Sequence, residues 1–443
     1  MSSRLLIQNG TIITLGAPCR VLEGMALLVE DGRIARIAPK EAISGPFDQV
    51  IDAGGQVVMP GLVNAHMHFY STLVRGLSKM APSANFQEVL DHLWWRLDRQ
   101  LSLDDVEVSA QVVLLDAIRK GTTTLVDHHA SPHAITGSLD RIAKAVKASG
   151  VRACLCYEVS DRDGEAISTE GLEENASFAR RCAREGDPHL RALFGLHAAF
   201  TLSDATLDRA AAMGQDLDIG FHVHVAEAAS DVAVNLQQHG LTPAARLHAH
   251  GLMGGKSIAA HAVHVTDADI DLLASTDTFV AHNPQSNLNN AVGIADLIKL
   301  TARGVRVGLG TDAMTVNMLE EVRVALWAQH LRQDNPSCGF MEVANTLFVR
   351  NPELVSRMWG FPIGTLQEGA AADLILVDYH PPTPLNGDTV LGHLIFGISQ
   401  ATVDTTICAG RVLMEGKRLT LDVDEASLAA HSRELAQRLW DRF

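Results

Sequence analysis

Pro60-Gly-Leu-Val-Asn-Ala-His-Met-His68 is an apolar run that ends in two histidines, two positions apart. Alternate side chains of a strand point to the same side. On a strand, His66 and His68 therefore share a face and can chelate one ion. A hydrogen-bonded buried pair is the competing reading of two such imidazoles. Which one holds depends on whether the rest of the chain brings further ligands to the same place.

The pattern of that stretch recurs. VVMPGLVNAHMH (57–68), TTTLVDHH (122–129), VRACLCYEV (151–159), RALFGLHAAF (191–200), DIGFHVHVAE (218–227), SIAAHAVHV (257–265), TFVAHNPQS (278–286) and VRVGLGTDA (305–313) are buried-type strands. Helical stretches such as DVEVSAQVVLLDAIRKG (105–121) lie between most of them. Alternation of this kind argues for a parallel sheet covered by helices. Eight units over about 300 residues predict an α/β fold, a (β/α)8 TIM-type barrel, which needs about 250.

The chain ends have a different texture. LLIQNGTIITL, ALLVEDGRIARIAP and VIDAGGQVVMP carry β-rich residues broken by Asn-Gly, Asp-Gly and Gly-Gly, which are hairpin signals. The texture returns in AADLILVDY and TTICAGRVLMEGKRL. We expect a smaller β-sandwich-like domain built from both ends, over 1–59 and 361–420. The barrel is expected over 60–360 and an amphipathic C-terminal helix over 421–443.

Composition narrows the partners. With 36 Lys+Arg against 52 Asp+Glu, the formal charge is −16, which repels phosphate backbones and anionic membranes. Nucleic acid and lipid are set aside, and a small-molecule substrate is expected. The six cysteines form no C-x-x-C pair, so neither a cysteine zinc site nor a disulfide framework is indicated. No secretory leader or membrane span is read in the sequence, and a cytoplasmic location is the expectation.

Most of the strands stop at a histidine, an acid or an asparagine. The ends of barrel strands converge on one face, where active sites of this architecture lie. His222 and His224 repeat the same-face pair; His224 lies nearer the mouth and is the better ligand, while His222 reads as a core histidine. Glu227 falls just past the strand, where a carboxylate can meet substrate. His261 closes its run, and His264 reads as a loop residue. The glycines of Val307-Gly-Leu-Gly-Thr-Asp312 allow close packing and deliver Asp312 to the mouth. Three histidines with one aspartate suit a single divalent cation, Zn2+ or Fe2+. Such an ion lowers the pKa of water from about 15.7 towards about 7. Glu227 and His261 are then placed to move protons and polarise the group under attack.

PGLVNAHMH, HVHVAE, AAHAVH, AHNPQSNLNN and GLGTDA, in this order, resemble the amidohydrolase superfamily in its cytosine-deaminase-like and triazine-hydrolase branch. GTLQEGAAADLILVD (364–378) resembles that family's terminal β domain. HFYSTLVRG, LWWRLDR, DHHASP and SNLNN resemble the SsnA aminohydrolase group within it. The resemblance implies His66, His68, His224 and Asp312 as metal ligands. It implies Glu227 as proton shuttle, His261 as the histidine that orients the nucleophile, and Asp312 as the base. It implies hydroxide attack on a ring carbon bearing an amine or other leaving group, and a homodimer. Binuclear relatives end an early strand in a carbamylated lysine. VRACLCYEV and RALFGLHAAF end without one, which points to one metal and to deamination.

On the substrate side, Arg75, Trp94 and Trp95 lie in the long stretch after His68, where aromatic rings can cover a flat heterocycle. His128, His197 and His282 are candidate pocket residues, and Asn283 and Asn287 are expected to order the mouth. The expected function is release of ammonia from an amino-substituted purine, pterin, pyrimidine or triazine-like ring. The alternatives are hydrolysis of a cyclic amide, amidine or carbon–chlorine bond on the same scaffold, and a non-catalytic binding protein.

Overall fold

A computed structural model describes residues 3–78 and 80–443. Eight parallel strands organise its centre. They are β1 (Leu62–Met67), β2 (Thr122–His129), β3 (Arg152–Tyr157), β4 (Phe194–Ala198), β5 (Phe221–Val225), β6 (Ile258–His261), β7 (Phe279–His282) and β8 (Val307–Leu309). Every residue in them is buried, since both faces are covered. That is why they read as unbroken apolar runs rather than as alternating ones.

The strands form two parallel arcs. One runs from β1 through β2 and β3 to a short strand at Leu190–Ala192, and the other runs from β4 to β8 in order. Backbone pairs join both seams. Met67 bridges Asp312, with Thr311 N and Asp312 N both donating to His66 O at 2.9 and 3.0 Å. Val159 bridges Leu196, with His197 N donating to Val159 O at 2.9 Å.

The first expected strand divides in two. Val57–Pro60 pairs antiparallel with Leu374–Asp378 in a seven-stranded sheet, and only Leu62–Met67 joins the parallel arc. The chain changes sheets at Gly61, where an added Cβ would lie 2.3 Å from Thr123 Oγ1. The fourth expected strand also divides, into Leu190–Ala192 and β4, and the seam between the arcs falls there.

Both chain ends build the β layers. A four-stranded sheet holds Arg4–Gln8, Met25–Glu30, Arg33–Pro39 and Gln49–Asp52. The seven-stranded sheet adds Leu374–Asp378, Thr402–Cys408 and Arg411–Glu415 to early strands. Leu5, Ile7, Leu27, Ile34, Val58, Leu376 and Ile407 share one core between them. Arg152, at the start of β3, ties this layer to the arcs. Its Nε donates to Asp373 Oδ2 at 2.8 Å, and both side chains are buried.

After β1 the chain makes a short turn at Phe69–Val74 and a helical segment over 86–100, interrupted by a π-turn at Leu90–Trp94. The C-terminal helix Glu425–Arg442 clamps this region. Trp440 Nε1 donates to Leu73 O, and Arg442 pairs with Asp105 at 2.8 Å. Among the described residues, no helix is long and apolar enough to cross a membrane.

Gly310 marks the tightest point of the β1–β8 seam, where a Cβ would sit 2.4 Å from Asn283 Oδ1 and 2.8 Å from His66 O. Overpacking of this kind costs about 1–3 kcal/mol. Gly310→Ala is therefore expected to lower the thermal midpoint by several degrees. Gly387→Ala, whose Cβ meets nothing within 4 Å, is the control. Equal midpoints for the two variants would dismiss the seam as a packing constraint.

Candidate metal and catalytic site

The ends of β1, β5, β6 and β8 bring five donors to one point. The donor atoms of His66, His68 and Asp312 lie within 4.8 Å of one another, as do those of His66, His224 and His261. His68 Nε2 is 3.0 Å from Asp312 Oδ1 and 3.4 Å from His224 Nε2; His66 Nε2 is 3.7 Å from Asp312 Oδ1. Tetrahedral ligands held about 2.0–2.1 Å from zinc are about 3.3 Å apart. The His68–Asp312 and His68–His224 spacings are close to that value, and His66 and Asp312 lie a little farther apart.

The other ring nitrogens show why these atoms are available. His68 Nδ1 lies 2.5 Å from His128 O, and His224 Nδ1 lies 2.8 Å from His197 O. A carbonyl can only accept, so each Nδ1 carries a proton and each Nε2 faces inward, with a lone pair on the neutral ring of His224 and on His68 once its second proton is displaced. His66 Nδ1 faces His222 Nε2 at 2.9 Å, and its own buried Nε2 has no hydrogen-bond partner. His222, read from sequence as a core histidine, backs His66 and in turn faces Cys156 Sγ at 3.8 Å.

Burial pushes His66 down to about 4 and His224 well below its ordinary value, so both are neutral near pH 7. His68 is different. Burial would lower it, but the Asp312 carboxylate beside it prevails and raises it to about 9. Asp312 is held well below the usual carboxylate range, against its own burial, by the imidazoles of His66 and His68 that face it. Its Oδ2 accepts from Ser286 Oγ at 2.5 Å.

His261 plays a different part. Asn287 Nδ2 donates to its Nδ1 at 2.8 Å, which leaves the ring proton on Nε2. That nitrogen lies 3.5 Å from Glu227 Oε2 and 3.9 Å from Asp312 Oδ2. Burial, reinforced by Asp312 and Asp231, raises Glu227 well above the usual carboxylate range. The two carboxyl groups are thus shifted in opposite directions. The backbone at His261 (φ 73°) and Asp312 (φ 52°) is left-handed. Non-glycine residues hold that conformation at a cost of about 1–3 kcal/mol, and here it turns both side chains inward at the strand ends.

His68, His224, Glu227 and Asp312 line one cavity with Tyr70, Trp94, Trp95 and His197. Three of the expected substrate residues do not line it. Arg75 is more than half exposed and pairs with Asp116 at 2.8 Å on the surface. His128 is buried behind the ligands, with Glu158 Oε2 and His222 O each 3.1 Å from its ring nitrogens. His282 is buried, and neither of its ring nitrogens has a partner among the described residues. His264 sits in a turn and bonds Val292 O, as a loop residue. Ser286 and Asn290, whose Nδ2 is 3.4 Å from Glu227 Oε1, were not singled out by sequence although both lie in SNLNN. Asp98 and Glu158, which also line the cavity, carry no local sequence signal.

Comparison with known proteins gives the family. Residues 57–413 match the amidohydrolase family model. A 5-methylthioadenosine/S-adenosylhomocysteine deaminase of Desulforudis audaxviator is 34% identical over 98% of this chain and 99% of its own length. An adenosine deaminase from Xanthomonas campestris, solved with bound zinc, superposes with a TM-score of 0.87 at 26% identity, covering 99% of this chain and 98% of that one. A triazine hydrolase from Arthrobacter aurescens shares the fold, with a TM-score of 0.82 at 23% identity over 98% of this chain and 99% of that one. The chain belongs to the amidohydrolase family.

Proposed function

We propose that the chain is a metal-dependent aminohydrolase that releases ammonia from an amino-substituted N-heterocycle, with 6-aminopurine compounds as the first class to test. The observation that carries this is the convergence of His66, His68, His224 and Asp312 at the strand ends, with Glu227 and Asp312 on either side of His261 Nε2 at 3.5 and 3.9 Å; burial shifts the Glu227 carboxyl up while the facing imidazoles hold Asp312 down. Two titratable groups driven apart by their surroundings mark the acid and the base. The deaminase names of the Desulforudis relative and the Xanthomonas neighbour support the reading. We read residues 60–360 as the catalytic barrel, closed by the two seams, and 1–59 with 361–420 as its β domain.

His66, His68, His224 and Asp312 would hold one divalent ion. Zinc suits this nitrogen-rich set and is present in the Xanthomonas neighbour; iron(II) suits it too. The ion, when bound, supplies the Lewis acidity that makes water a nucleophile near neutral pH. Asp312 takes the proton that water gives up, its second oxygen fixed by Ser286. Glu227 gives its proton to the ring nitrogen next to the attacked carbon. His261 turns an N–H toward the oxygen that gains charge. The proton on Asp312 passes to the departing amine, and the proton on the added oxygen returns to Glu227 as the carbonyl forms, so ammonia leaves and both carboxyl groups are restored. Trp94 and Trp95 wall the cavity against the flat ring.

Metal binding must displace a proton from His68, whose raised pKa keeps it charged up to about 9. Zinc binding at pH 7 is expected to release a proton from His68 beside any from the bound water, and the His68 share is expected to vanish well above pH 9. Calorimetry in buffers of different ionisation enthalpy reads this, and no release at pH 7 would contradict the assignment. His66→Ala is expected to weaken binding by more than the ten- to hundredfold typical of losing a supporting residue.

Glu227→Gln is expected to keep the metal and lower turnover by about 10²–10⁴. Ammonia release from amino-heterocycles, measured beside metal content, decides it. Full turnover in the variant would remove Glu227 as the acid. Chloride release without ammonia release from chlorinated rings would replace the deaminase reading.

A further inference from the structure

Beneath the metal-ligand cluster, four of the parallel strands bring a short polar chain into the closed interior. It runs from Asp127 on β2 to Cys156 on β3, His222 on β5 and His66 on β1. Cys156 Sγ lies 3.4 Å from Asp127 O and 3.8 Å from His222 Nδ1, and His222 Nε2 lies 2.9 Å from His66 Nδ1. Cys156, His222 and His66 are all fully buried. A Cβ added at Gly195 would come within 3.0 Å of the sulfur, so the thiol is held from that side too.

A buried thiol is ordinarily a small apolar filler. This one has a direction. The Asp127 carbonyl can only accept, so the S–H points to it and the sulfur turns its lone pairs to His222 Nδ1. Burial keeps the His222 ring neutral, so one proton serves its two nitrogens. The sulfur draws that proton to Nδ1 and leaves Nε2 as an acceptor. Nε2 in turn takes the hydrogen bond of His66 Nδ1–H. The neutral His66 ring then has no proton for its own Nε2, which lacks a hydrogen-bond partner and lies 3.7 Å from Asp312 Oδ1. With the opposite polarity, His66 would hold its proton on Nε2 and present no lone pair to a cation. His68 and His224 are oriented by carbonyls directly, whereas His66 Nδ1 meets an imidazole, which itself needs a direction.

We propose that Cys156 is a positioning residue whose thiol sets the tautomer of His222 and, through it, turns the lone pair of His66 Nε2 toward the metal site. The proposal rests on the preceding reading only in taking His66 as a ligand. Donor atoms of His128, Cys156 and His222 also lie close enough together to hold an ion. His128 Nε2, however, faces the His222 carbonyl at 3.1 Å, where it donates a proton, so one ion per chain is expected.

Ring-nitrogen NMR of histidine-labelled protein, with and without zinc, reads the tautomers, and the signals lost in His222→Gln and His66→Ala assign them. His222 is expected in the Nδ1–H form in the parent and in Cys156→Ser, which keeps a donor and an acceptor, and to lose that preference in Cys156→Ala. Zinc dissociation constants from competition calorimetry are expected to rise about ten- to hundredfold in Cys156→Ala, the cost typical of a lost supporting group, and to recover in Cys156→Ser. In a His222→Gln background, Cys156→Ala should change the constant by less than about twofold, because the two residues act as one unit. A thiol that only fills space would lower the thermal midpoint of Cys156→Ala and leave the zinc constant unchanged, and that result overturns the proposal. An Nε2–H His222 in the parent also overturns it, as does a second zinc per chain that Cys156→Ala removes. An Nδ1–H His222 that depends on Cys156, with zinc affinity indifferent to His66→Ala, keeps the tautomer setting and sinks the ligand assignment. Zinc affinity that needs His66 but not Cys156 does the reverse.

Discussion

The carbonyl of His66 accepts hydrogen bonds from two successive amides, Thr311 N and Asp312 N. Those bonds join the last parallel strand to the first. They also set the Asp312 carboxylate against the imidazoles of His66 and His68. A seam and a metal-binding geometry are thus one arrangement. Gly310 is needed because the backbones approach too closely for a side chain, and left-handed Asp312 is needed because its carboxylate must turn inward immediately afterwards.

Around that seam the protein uses dryness to separate like groups. Glu227 and Asp312 are both buried acids near one imidazole, His261. Asp312 has donors on both oxygens and loses its proton readily. Glu227 has one long contact from an amide, and burial raises its carboxyl. The difference lies in the donors each receives rather than in the acids themselves. Among His66, His68 and His224 the same logic holds: His68 alone is raised, because Asp312 outweighs burial there and not at the other two.

Much of this was legible in the chain. Strands covered on both faces leave continuous apolar runs, and polar residues that end them stand out. That is why His66, His68, His224, Glu227, His261 and Asp312 could be chosen before any coordinates. Spacing along a strand also separated His224 from His222. The remainder depends on contacts between distant segments. Arg75 lies in the right stretch of chain, but Asp116 on the neighbouring helix draws it to the surface. His128 and His282 lie at or next to strand ends, yet both are buried and neither lines the cavity. Asp98 meets Arg162 from 64 positions away, and no local periodicity announces such a meeting. The division of 57–68 between two sheets turns on one glycine facing Thr123.

The pairing of Val57–Pro60 with Leu374–Asp378 has a consequence during synthesis. The early strand leaves the ribosome more than 300 residues before its partner. At about 5–20 residues per second, the wait is roughly 15–60 s. Throughout it, the apolar faces of the early strands lack their final cover, and Arg152 lacks Asp373. The nascent chain must therefore shelter an incomplete β layer while the catalytic strands are made. Loss of the late strands would leave the early ones as open, self-pairing edges, so a chain stalled before residue 374 should be an aggregation hazard even with its metal-binding residues all in place.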